Sequence, residues 1–74
     1  MRVFGIDCGT NCTGYGVVDV ESGRRETRLV AVAAGGLKLA KEQALPVRLA
    51  YIYSELSALL ELHRPDVVAV EGVF

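Results

Sequence analysis

Cysteine, histidine and proline are scarce in this 74-residue chain, which has two, one and two of them. Two cysteines are too few for a disulfide framework, which also needs an oxidising compartment. A zinc site needs four ligands, and His63, the only histidine, falls on a predicted helix as a half-buried packing residue. Cys8 and Cys12, which flank a glycine-bearing turn, are therefore expected to be ordinary free thiols. The chain also has no basic run. Its lysines and arginines are dispersed, the net charge is −1 and the pI is about 5.7, so composition does not announce a nucleic-acid binder. Long apolar stretches are absent too. Residues 1–6 meet a carboxylate at Asp7, short of the run of about 7–15 apolar residues in a signal peptide. The longest helical candidate carries Arg48, Glu55, Glu61 and Arg64, unlike a membrane span of about 20 apolar residues. The expectation is a cytoplasmic protein with no membrane partner.

With no repeat, low-complexity tract or linker, residues 1–74 read as one unit, small enough to bury only about 60% of its unfolded surface. Residues 2–7 (RVFGID) form a short apolar strand. Residues 8–13 (CGTNCT) carry turn chemistry, and residues 14–20 resume a β-rich pattern. A turn at 21–24 leads to a third strand over 26–39, in which Gly35 and Gly36 suggest a bulge or bend. Pro46 suits a helical first turn, and Leu49, Ile52, Tyr53, Leu56, Leu59, Leu60 and His63 recur at 3.6-residue spacing. Pro65 stops this helix. Residues 66–71 (DVVAVE) are apolar on both faces, as in an internal parallel strand. A right-handed crossover through the helix sets the fourth strand beside the first. The expected fold is an α/β mixed sheet of order 3-2-1-4 with one helix.

Asp7 ends the first strand and Glu71 the fourth. On parallel neighbours about 4.8 Å apart they emerge side by side, and two such like charges repel unless a cation sits between them. Mg²⁺ accepts carboxylate oxygens and engages phosphates, and paired ions activate water against a phosphodiester. The alternative is that acidic residues simply cap turns or meet solvent at strand ends, as expected for Asp19, Glu21 and Asp66.

The string GIDCGTNCTGYGVVDV resembles the first hairpin of RuvC-type Holliday junction resolvases, with its G-I-D-P-G and T-G-Y-G-V pattern. PDVVAVEGVF resembles that family's P-D, apolar strand, E-x-V-F segment, and Leu45-Pro46-Val47-Arg48-Leu49 its L-P-x-R-L helix start. These motifs occur in order and cover nearly the whole chain.

The resemblance implies a ribonuclease-H-like nuclease domain of which residues 1–74 are the N-terminal part. It implies structure-selective cleavage of four-way DNA junctions in recombination and repair by a homodimer using Mg²⁺ (Mn²⁺ being possible), working with a branch-migration helicase complex. By motif, Asp7 and Glu71 correspond to the first two catalytic, metal-binding carboxylates, Phe74 to an aromatic that contacts DNA bases, and Tyr15 to a structural hairpin residue. The family's fifth strand, further helices and later acidic pair are not among these residues, so the chain alone is expected to be inactive and to self-associate, by edge-to-edge pairing of residues 66–71 or by apolar packing. Cys8 stands where the family has proline. A second reading is the phosphate-binding piece of an actin-like or sugar-kinase-type ATPase, whose G-I-D-x-G-T hairpin is matched by residues 5–10. A third is a non-catalytic interaction module of the same ancestry. Gly14-Tyr15-Gly16 lacks the third glycine of a dinucleotide fingerprint.

Overall fold

A computed structural model describes residues 1–9 and 11–72. Its elements run β1 (Arg2–Cys8), β2 (Cys12–Ser22), β3 (Thr27–Lys38), α1 (Leu45–His63) and β4 (Val67–Glu71). The sheet has the order β3-β2-β1-β4. Hairpins make β1, β2 and β3 antiparallel, and the helical crossover returns β4 parallel to β1. This is the expected topology. The first turn is tighter than expected, because β1 stays paired through Cys8, opposite Thr13. A Cβ on Gly9 would collide with the carbonyl oxygen of Cys12, so the turn needs glycine there.

The irregularity in β3 is not at Gly35 and Gly36, which stay in register with Tyr15 and Gly14. Val17 pairs with Ala33 and Val18 with Ala31, which leaves Val32 as the extra residue of a bulge. The two glycines answer a different need: a Cβ at Gly35 would press on the Tyr15 ring, and one at Gly36 would stand 3.0 Å from Cys12 Sγ.

Helix α1 starts with Pro46 in its first turn, where the missing N–H costs nothing. The Ala44 carbonyl accepts from the amides of Val47 and Arg48, both at 3.1 Å. Arg64 ends the helix in the left-handed region (φ 47°), and its amide donates to the Leu60 carbonyl at 2.9 Å. That conformation turns the chain sharply into Pro65.

Phe4 and Val17 are fully buried and Ile6 nearly so. Tyr15, Ala33, Leu56, Leu59 and Leu60 pack against them. Tyr15 lies almost parallel to Phe4, with ring centroids 5.6 Å apart. His63 is half-buried with its ring 6.4 Å from Phe4, the packing role expected of it. Only the C-terminal half of the helical stripe enters this core. Leu49 is 54% exposed, and with Ile52 and Leu45 it borders a cleft of about 410 Å³ against Thr13 and Leu39. At that end the helix-facing side of the sheet carries Cys8, Thr13 and Leu37, of which Thr13 and Leu37 are buried.

Candidate functional site

Side chains alternate between the two faces of a strand, so register assigns each residue to a face. Phe4 and Ile6 of β1, Tyr15 and Val17 of β2 and Ala33 of β3 belong to the face that packs on α1. Asp7 and Glu71 belong to the other. They are register partners at the C-terminal ends of β1 and β4, and both are exposed. The backbone thus brings residues 64 apart in sequence to adjacent strands about 4.8 Å apart.

The face around them is bare. Continuing across the sheet, the row through Glu71 and Asp7 meets Gly14 and Gly36, and the row below it reads Ala69, Gly5, Gly16 and Ala34. Most of these residues line a concavity of about 560 Å³ with the two carboxylates on it. A Cβ on Gly14 or Gly16 would meet nothing within 4 Å, so packing inside the chain does not account for these glycines. They leave the acidic pair open to something large. Glycine within a strand often marks such an approach, and its recurrence at alternate positions of β2 was a readable signal of it.

Among the described residues no three His, Cys, Asp or Glu side chains gather as a metal cluster. The pair alone offers oxygen donors that suit a hard divalent ion. Cys8 and Cys12 are free and exposed. Phe74 lies outside the described residues.

Asp19 and Asp66 are more than solvent-facing carboxylates, contrary to expectation. Arg2 donates from Nε to Asp19 Oδ1 at 2.8 Å and from Nη2 to Oδ2 at 3.0 Å, while its Nη1 reaches the His63 carbonyl at 3.0 Å. The hydrogen bonds from Arg2 hold the Asp19 carboxyl below the usual carboxylate range, against the opposing effect of desolvation, and Asp19 raises the Arg2 pKa in return. The Arg2 amide donates to Asp66 Oδ2 at 2.7 Å, and the Asp66 amide donates to the Arg2 carbonyl at 2.8 Å. Single carboxylates near strand ends gave no sign of a shared arginine.

Residues 3–74 match the family model described as crossover junction endodeoxyribonuclease RuvC. The protein of that name from Acidobacterium capsulatum is 48% identical over all of this chain and 45% of its own length. A structure of Thermus thermophilus RuvC superposes with a TM-score of 0.87 at 32% identity, covering all of this chain and 44% of that one. The same organism's RuvC in complex with a Holliday junction substrate gives 0.86 at 30% identity, with 45% of that chain covered. The chain thus spans less than half the length of these relatives. The ATPase reading of the first hairpin gains no support from them. The sheet is that of the ribonuclease-H-like RuvC structures, and this chain belongs to the RuvC family of crossover junction endodeoxyribonucleases.

Proposed function

We propose that this chain is the N-terminal part of a single ribonuclease-H-like domain in a divalent-metal-dependent endonuclease that resolves four-way DNA junctions. Asp7 and Glu71 act as its first two metal-binding carboxylates. The observation that carries this reading is their in-register pairing on a sheet face where the rest of their own row and the row below it hold no side chain larger than methyl. Two fixed carboxylates carry a repulsion that a cation relieves, and oxygen donors suit Mg²⁺ or Mn²⁺. Divalent ions held by Asp7 and Glu71 together with further ligands would supply activation of a water and stabilisation of the leaving oxygen of a phosphodiester.

The chain's own contribution is geometric. Adjacent strands hold the carboxylates at a set spacing, and the glycine rows keep the approach clear for a nucleic-acid backbone. Two protein ligands make a weak site, so the remaining acidic ligands come from the part of the enzyme beyond this chain. The 74 residues alone bind the ion weakly and do not cleave. Phe74, three residues after Glu71, meets bases near the crossover. The whole enzyme acts in the cytoplasm as a homodimer alongside a branch-migration helicase complex.

The test uses the full-length nuclease carrying this segment. Asp7→Asn and Glu71→Gln should each lower Mg²⁺-dependent junction cleavage by about 100-fold or more, the upper end of what lost metal-site partners cost, while junction binding stays within error. Normal cleavage by either variant refutes the assignment, as does reproducible Mg²⁺-dependent cleavage by the isolated chain.

A further inference from the structure

Strand β4 has little in its side chains to hold its register. Where one face of a strand is buried, a one-residue slip is opposed because it moves the buried side chains into water. Here Val67, Val68, Ala69 and Val70 are apolar on both faces, with Val68 and Val70 on the helix face and Val67 and Ala69 on the other. A slip therefore exchanges one apolar side chain for another. For the acidic pair the consequence is large. A one-residue slip carries Glu71 to the opposite face, and a two-residue slip moves it about 6.6 Å along Asp7.

The register is instead defined at the far end of the strand. Arg2 and Asp66 close a ring of two hydrogen bonds, Arg2 amide to Asp66 Oδ2 (2.7 Å) and Asp66 amide to Arg2 carbonyl (2.8 Å), one step before the first pair, Val3 with Val67. A carboxylate acceptor makes the first of these a charge-assisted bond. The Arg2 guanidinium, held on Asp19, also reaches the His63 carbonyl in the last turn of α1. Only Arg64, Pro65 and Asp66 connect that turn to β4, and Arg64 is already committed to its left-handed cap, so the connection has little slack.

We infer that Asp66 is a positioning residue for the metal centre, its carboxylate clamping the Arg2 amide and so setting the β1–β4 register that places Glu71 beside Asp7, five residues away. This rests on Asp7 and Glu71 being the metal-binding pair. Asp66 itself touches neither metal nor substrate. Removing its side chain leaves both carboxylates in the sequence but populates registers in which they no longer share a face.

The experiment is a Mn²⁺ titration of junction cleavage by the full-length nuclease carrying this segment, with thermal midpoints measured alongside. Asp66→Ala should raise the Mn²⁺ concentration for half-maximal cleavage by about tenfold or more, the range seen when a partner orienting a metal ligand is lost. Junction affinity should be unchanged. Asp66→Asn keeps an acceptor oxygen for the Arg2 amide and should restore most of the metal response. Asp19→Ala lowers stability at the same end of the sheet without touching the ring, and should leave the Mn²⁺ curve in place. If the Asp66→Ala curve overlays the wild type, or Asp19→Ala shifts it equally, Asp66 is merely structural and the inference is wrong. If Asp7→Asn and Glu71→Gln cleave normally, it is the metal-pair assignment that has failed.

Discussion

The ring of Tyr15 occupies the space that a side chain at residue 35 would need: a Cβ on Gly35 would stand 2.7 Å from the Tyr15 hydroxyl oxygen and 2.9 Å from Cε1 and Cζ. Tyr15 has little freedom to yield, because it stacks on the fully buried Phe4. Gly35→Ala should therefore cost about 1–3 kcal/mol, as overpacking does. Denaturant unfolding of Gly35→Ala, Tyr15→Ala and the double variant checks this. The alanine at 35 should cost much less once the ring is gone, and additive losses would show that the two residues do not oppose each other.

The proposed base contact of Phe74 rests on its place in the E-x-V-F motif, and stacking of an aromatic on a base is worth about 1–3 kcal/mol. Phe74→Ala in the full-length nuclease should weaken productive junction engagement by a corresponding factor with the thermal midpoint intact. A lower midpoint with unchanged cleavage would instead make Phe74 a packing residue.

Stability should depend on pH through Asp19. Its folded pKa is depressed by the hydrogen bonds from Arg2, so the pair stabilises the fold at pH values above the unfolded carboxyl's pKa. That contribution is lost as pH falls from the usual carboxylate range through the lower folded value. Arg2, with its pKa raised, stays charged throughout. Unfolding midpoints measured from neutral pH downward should fall less steeply for Asp19→Asn than for the wild type. Parallel profiles would mean that the pair is not coupled to folding.

On the described residues β4 is an edge strand, and its exposed valines extend an apolar surface beside an unpaired backbone edge. Edges of this kind template pairing with another chain. Light scattering should show the isolated 74-residue chain associating at micromolar concentrations, and Val70→Lys should reduce the association. A wild-type chain that stays monomeric and unfolds cooperatively would overturn this.

The order of elements, the parallel return of β4 and the meeting of Asp7 with Glu71 were legible in the sequence, because hydrophobic period and turn chemistry are local properties of the chain. The strand 66–71 could be identified from its apolar run, and the helix from Leu49, Ile52, Leu56, Leu59 and Leu60. How far that stripe would enter the core was not legible. Leu49 is left half exposed across a cleft bordered by Cys8, Gly9 and Thr13, residues more than thirty positions away.

The glycines of β2 and β3 could be counted but not sorted. Gly35 makes room for Tyr15, whereas Gly14 and Gly16 face open space, and only the strand register separates the two cases. The sequence by itself therefore determined the elements, their order and which carboxylates end which strands. Tertiary structure alone decided that Arg2 gathers Asp19, His63 and Asp66, and which side of the sheet the acidic pair occupies. Those depend on hydrogen bonds and register between strands brought together by the crossover, where a shift of one residue reverses the face and nothing local in the chain records the choice.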